Sequence, residues 1–214
     1  MRIIECEQGS PEWYMARLGK VSASRIADMT AKTKTGYGAS RANYMAELLV
    51  ERLTGQPTEK YVSDAMQWGK EQEAQARDIY QLLRNVEVRQ VGLVLHPTID
   101  MACASPDGLV GDDGLVEIKC PNTATHIQTL LDEAIDGKYI KQMQFQMACT
   151  GRLWCDYVSF DPRLPAEMQL FIARVERDPK MIAELEAETR AFLAELDATL
   201  ARLAEKFHLA KAAE

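Results

Sequence analysis

Nowhere in the 214 residues does an apolar run approach the roughly 18 residues that a membrane-spanning helix needs. The opening MRIIECEQGS does not lead from a basic start into an apolar stretch, so no secretory signal is read there. The sequence therefore predicts a soluble, cytoplasmic protein. Cysteine is sparse: Cys6, Cys103, Cys120, Cys149 and Cys155 are odd in number and none forms a C-x-x-C pair. Reduced thiols, mostly buried, are the expectation, with zinc or an iron–sulfur cluster the weaker alternative. No G-x-x-x-x-G-K-[ST] run is present, which sets aside a P-loop nucleotide hydrolase. Internal repeats and low-complexity linkers are also missing, so one domain over 1–214 is expected, its core drawn from a 47% hydrophobic composition. Positive charge is in deficit: 25 Lys and Arg against 32 Asp and Glu give a net charge of -7. This argues against broad, non-specific adhesion to DNA, which draws on phosphate neutralisation. It leaves open a single basic cleft, because the local field decides. The charge is uneven, with Arg17, Lys20, Arg25, Lys32 and Lys34 facing Asp28 alone between residues 13 and 38.

What is present reads as alternating helices and strands. SPEWYMARLG is a short helix with Ser10 as cap, Pro11 in the first turn and Gly19 as its stop. VSASRIADM begins a second helix, and AKTKTGYG is a polar loop. ASRANYMAELLVERLTG is an amphipathic helix ended by Gly55. SDAMQWGKEQEAQARDIYQLLRN is another, interrupted by Gly69. VEVRQVGLVLH, MACASPD and GLVEIKC read as strands, and the hairpin VGDDG joins Leu109 to Leu115. PNTATHIQTLLDEAI and KYIKQMQFQMACTG are helical, and WCDYVSFDP and QLFIARVER are strands. From Asp178 to Phe207, apolar residues recur at helical spacing, which predicts one long amphipathic helix.

One stretch carries chemistry: SPDGLVGDDGLVEIKCP, residues 105–121. Glu117 and Lys119 stand two apart in an apolar strand and so project from the same face. The hairpin brings Asp107 alongside them. Carboxylate oxygens are ligands that Mg2+ prefers, together with waters and substrate phosphate. A lysine beside them can orient the attacking water or stabilise negative charge on the phosphate. The set suits metal-dependent phosphodiester hydrolysis. Taken alone, a D…E-x-K also suits an ion pair at a solvated sheet edge next to an ordinary turn. The apolar flanks Leu115, Val116, Ile118 and Cys120 favour a central strand, where an unpartnered charge is costly.

SPDG followed by LVEIKCP resembles the PD-(D/E)XK signature in the form used by the phage lambda exonuclease family of YqaJ-type viral recombinase nucleases. Three more stretches resemble that family in the same order: PEWYMARLGKVSAS, MQWGKEQEAQAR and YIKQMQFQM, so that the likeness spans residues from about 5 to about 178. The resemblance implies an α/β, restriction-endonuclease-like core, with a central mixed β-sheet flanked by helices and a long C-terminal helix. It implies that Asp107, Glu117 and the Ile118 carbonyl hold metal, with Glu73 completing the cluster directly or through water, and that Lys119 steers the attacking water. Two Mg2+ ions per site are implied, with Mn2+ as a substitute. Arg17, Ser24, Ser105 and Gln142 would bind the 5′-phosphate of a DNA end. Lys32, Lys34, Met66 and Gln144 would contact DNA or lie near the active site. Trp13 and Trp68 read as core residues. Asp112 and Asp113 read as turn residues pointing away from the metal site. The implied activity is 5′→3′ degradation of linear double-stranded DNA by a ring-shaped homotrimer working with a single-strand annealing protein. Two alternatives are an endonuclease or resolvase on the same metal core, and a non-catalytic DNA-end-binding protein.

Overall fold

The computed structural model describes residues 1–58 and 64–208, with side chains from Gln67 onward in the second stretch. The chain opens with strand β1 (Arg2–Ile4) and helix α1 (Pro11–Arg17). Ser10 caps α1 by accepting from the Trp13 N–H at 3.2 Å, with Pro11 in the first turn, as the sequence predicts. VSASRIADM is not one helix: it forms a two-residue strand β2 (Val21–Ser22), a 3-10 turn (Ala23–Arg25) and a short helix α2 (Ile26–Met29). The predicted polar loop is a small hairpin, β3 (Lys32–Thr33) and β4 (Gly36–Tyr37). Helix α3 (Ala39–Thr54) follows and stops at Gly55, which takes the left-handed conformation at φ 66°.

Helix α4 (Asp64–Arg84) runs unbroken through Gly69. A Cβ at Gly69 would lie 3.4 Å from the carbonyl oxygen of Cys120, just past the end of β9, defined below, so the helix packs near that backbone without demanding glycine. The predicted strand VEVRQVGLVLH splits into β5 (Val88–Arg89) and β6 (Leu93–Leu95). The break falls at Gly92, where a Cβ would meet the Ile4 and Cys6 carbonyl oxygens at 2.5 Å. Strands β7 (Ala102–Ala104), β8 (Gly108–Val110) and β9 (Gly114–Lys119) complete the middle of the chain. Helices α5 (Thr123–Asp132) and α6 (Gly137–Thr150), strands β10 (Trp154–Phe160) and β11 (Leu170–Glu176), and the long helix α7 (Pro179–Phe207) end it.

The strands form two main sheets rather than one. A five-stranded mixed sheet has the order β11-β10-β9-β8-β5, with β9 and β10 parallel and the other pairs antiparallel. A four-stranded sheet has the order β1-β6-β7-β2, with β2 parallel to β7. β7 belongs to one sheet and β8 to the other, so Ser105, Pro106 and Asp107 form the crossing between them.

Alternation along β9 sorts its side chains between two cores. Leu115 joins the larger core with α6 residues Met143 and Met147 and α7 residues Leu185, Phe192 and Leu196. Val116 and Ile118 pack on the other face against Ala76 and Tyr80 of α4. Glu117 and Lys119 share Leu115's parity and therefore face α6. Gly108 is fixed by packing: a Cβ there would lie 2.1 Å from Val88 Cγ1 and 3.2 Å from Val116 Cγ1. Gly108→Ala is expected to cost ~1–3 kcal/mol, the usual range for overpacking a tight interior. Equilibrium urea denaturation checks this; an unchanged midpoint would contradict the packing.

Candidate active site

β9 is the middle strand of the five-stranded sheet, so the charged pair in it is enclosed. Glu117 is 0% exposed. Its carboxylate is held from three directions. Lys119 Nζ and Gln142 Nε2 reach Oε1, the latter at 2.5 Å, and Gln146 Nε2 donates to Oε2 at 2.6 Å. Asp107, half-buried at the sheet crossing, accepts the Ile118 N–H at 2.6 Å, which ties the turn directly to β9. Burial and the neighbouring Glu117 carboxylate raise the Asp107 pKa well above the ordinary aspartate range, with Glu73 adding to the rise and Lys119 opposing it. Burial alone would lower the Lys119 pKa, but Glu117 and Asp107 override it and hold the ammonium charged.

The second sheet supplies the adjoining wall. Pairing of β2 with β7 sets Ser22 opposite Cys103, two residues before Ser105. Arg17 donates to Ser22 Oγ at 2.8 Å, and Ser22 Oγ lies 3.3 Å from Ser24 Oγ. Trp13 organises this group as well as filling core: its indole N–H donates to Ser105 Oγ at 2.8 Å, and the Arg17 guanidinium lies 4.2 Å from the centre of its ring. Gln8 reaches from the N-terminal loop to the Val91 and Pro106 carbonyls, both at 2.9 Å. One cavity of ~190 Å³ is lined by both sets: Gln8, Trp13, Arg17, Ser22, Ser24 and Ser105 together with Asp107, Glu117, Lys119 and Gln142. Of the residues singled out in the sequence, Arg17, Ser24, Ser105, Asp107, Glu117, Lys119 and Gln142 are thus brought together.

The remainder are placed differently. Glu73 comes from α4, pairs with Arg77 at 2.5 Å, and lines a neighbouring cavity with Lys70 and Arg77. Gln144 is turned into the core, correcting the expectation that it lies at the site. It is 2% exposed, donates to the Glu176 carbonyl at 2.8 Å and accepts the Asp178 N–H at 2.9 Å. Residues two apart on a helix point to nearly opposite faces, so Gln142 and Gln144 do not share a site. Gln146, four residues after Gln142, shares its face and was missed; the i,i+4 spacing was the signal. Lys32 is bound by Glu188 of α7 at 2.6 Å. Lys34 is exposed in the turn of the β3–β4 hairpin. Met66 falls in the first turn of α4, and its side chain lies outside the described residues. Asp112 and Asp113 are exposed at the β8–β9 tip and line a separate cavity with Tyr80 and Trp154. Trp68 is half-buried under the Arg163 guanidinium, 4.1 Å from the ring centre.

Among the described residues, no three His, Cys, Asp or Glu side chains converge as a ready-made metal cage. The donor set nonetheless fits a hard divalent cation. Two carboxylates share the cavity, the Glu117 charge disfavours that of Asp107, and Mg2+ takes one or two carboxylates while keeping waters.

The mixed sheet, its flanking helices and the Asp107, Glu117, Lys119 set define a PD-(D/E)XK-type core. A model of the YqaJ-like viral recombinase domain matches residues 12–153. Among solved structures, the chain is 55% identical to an alkaline exonuclease from Laribacter hongkongensis, with a TM-score of 0.88, covering 93% of this chain and 98% of that one. The same exonuclease solved in complex with dAMP gives the same figures: 55% identity, TM-score 0.88, and 93% and 98% coverage. A phage-related exonuclease from Haemophilus somnus 129PT shares the fold at 16% identity and a TM-score of 0.71, covering 86% of this chain and 96% of that one. Among curated proteins, no relative matches the chain. The chain belongs to the YqaJ-like viral recombinase family.

Proposed function

We propose that this chain is a Mg2+-dependent 5′→3′ exonuclease that degrades the 5′-ended strand of linear double-stranded DNA, releasing 5′-mononucleotides and leaving a 3′ single-stranded overhang. The observation that carries the reading is the single cavity shared by Arg17, Ser24 and Ser105 with Asp107, Glu117 and Lys119. A phosphate-binding group and a hydrolytic group lining one small cavity suit removal of one nucleotide at a time from a phosphorylated end. The 55% identity to an alkaline exonuclease supports the same class of reaction.

Arg17 presents a planar guanidinium to the terminal phosphate, with the Ser24 and Ser105 hydroxyls and the Gln142 amide as further donors. The stack of Arg17 on Trp13 keeps the guanidinium in place before substrate arrives. Lys119, kept charged by its carboxylate neighbours, orients the attacking water and stabilises charge developing on the scissile phosphate. Asp107, Glu117 and the Ile118 carbonyl would hold metal, with Glu73 acting from α4 directly or through water. When bound, Mg2+ supplies Lewis-acid polarisation of the phosphate and lowers the pKa of water at the site. Two ions per site, with Mn2+ as a substitute, are part of the proposal. So are Lys34 and Lys32 as duplex-backbone contacts, the latter after release from Glu188, and Met66 as an apolar wedge at the DNA end. A homotrimeric ring and a single-strand annealing partner complete it.

The test compares linear duplex with covalently closed circles, each with Mg2+ and with EDTA. Rapid release of acid-soluble nucleotides is expected from linear DNA with Mg2+ only. Nicking of circles would favour the endonuclease reading, and retention of DNA ends without product would favour a binding protein.

A further inference from the structure

Glu117 is the one carboxylate of the site that is wholly enclosed, and its three donors are not equivalent. Lys119 and Gln142 line the cavity, where substrate or an ion can replace them. Gln146 does not line it; it is 0% exposed and reaches Glu117 Oε2 from the interior at 2.6 Å. Three residues to either side on the same face of α6, Met143 and Cys149 are 0% and 2% exposed, so an apolar side chain would suit this place. The amide oxygen Oε1 of Gln146 is buried, and among the described residues it has no hydrogen-bond partner. Buried polar groups are normally paired, and an unmade bond is costly. No network of its own therefore explains the amide. Its bond to Glu117 does.

The distribution of donors gives that bond a purpose. A carboxylate offers about two acceptor sites per oxygen. Oε1 is occupied by Lys119 and Gln142, while Oε2 takes Gln146 alone. One amide on Oε2 fixes the plane of the carboxylate and leaves acceptor capacity on that oxygen. Residues that hydrogen-bond a ligating carboxylate act on metal affinity through its orientation.

We infer that Gln146 is a positioning residue, whose buried amide holds the Glu117 carboxylate in the orientation that binds a divalent cation. This rests on the metal-dependent reading above. Gln146 touches neither substrate nor cation and acts only through Glu117.

The test uses Mn2+ as the probe, titrated into the full chain without DNA and followed by electron paramagnetic resonance. Gln146→Met keeps the volume and removes the donor. Gln146→Asn keeps an amide but withdraws it by one methylene. Both are expected to bind Mn2+ ~10- to 100-fold more weakly than wild type. The thermal midpoint of Gln146→Met in EDTA is expected to fall, because buried Glu117 Oε2 loses its donor, and removal of the unpartnered Gln146 Oε1 offsets only part of that cost. Raising Mn2+ is expected to restore its turnover. Wild-type Mn2+ affinity in both variants, with or without a lowered midpoint, would overturn the inference and leave the metal-dependent reading intact. A wild-type chain that binds no Mn2+ would overturn both.

Discussion

Lys119→Ala is expected to lose ~10²- to 10⁴-fold in the rate of hydrolysis, the range seen when a positioned proton-handling or charge-stabilising group is removed. The reason lies in the balance of charge in the cavity. Asp107 and Glu117 line one cavity, where the Glu117 charge raises the Asp107 pKa and Lys119 is the cation that opposes that rise. Without it the water loses its orienting ammonium, and charge developing on the scissile phosphate loses a cation that stabilises it. Arg17, Ser24 and Ser105 are untouched, so binding of a 5′-phosphorylated end should persist. Single-turnover hydrolysis together with gel-shift titration separates the two effects. Weak binding with an unchanged single-turnover rate would contradict the role given to Lys119. Lys119→Arg should not restore the rate, since a guanidinium is longer, planar and differently hydrated.

Arg17→Ala is expected to abolish the preference for phosphorylated ends. Charge-assisted hydrogen bonds contribute about 1.5–3 kcal/mol each, which is roughly 10- to 100-fold in affinity. The wild-type chain should therefore degrade 5′-phosphorylated duplex faster than 5′-hydroxyl duplex by about that factor, and the variant should treat both alike at the slower rate. Arg17→Lys should recover only part of the preference. An ammonium is a point charge, and it loses both the bidentate geometry and the guanidinium's contact with the Trp13 ring. Initial rates on the two substrates check this. A ratio near one in wild type, or a ratio unchanged in Arg17→Ala, would remove the phosphate pocket from the account.

The clustering of Asp107, Glu117 and Lys119 was legible because its signal is local. Two charged residues of one parity inside an apolar strand announce a buried site, and the turn that supplies Asp107 lies next to them in sequence. The long helices α3, α4 and α7 were legible for the same reason, as each repeats its apolar face over several turns. Strands of two or three residues carry no such repeat. β2 is too short to show alternation, so Val21 and Ser22 were absorbed into a helix, and the second sheet went unseen as a separate layer. The break at Gly92 depends on the backbone of Ile4 and Cys6, nearly ninety residues away in sequence. The engagement of Lys32 by Glu188 is likewise non-local. Gln144 was misjudged through a sequence likeness read without helical geometry, whereas the i,i+4 relation of Gln142 and Gln146 was available from the sequence itself.

The central claim is that end recognition and hydrolysis occur in one cavity, so that each cut removes the terminal nucleotide. Linear duplex labelled on the 5′-terminal phosphate tests it most directly. At the earliest times with Mg2+, the label is expected to appear in a 5′-mononucleotide, at least as fast as any other product forms. Label released first in longer oligonucleotides, or retained while unlabelled nucleotides leave from 3′ ends, would contradict the account.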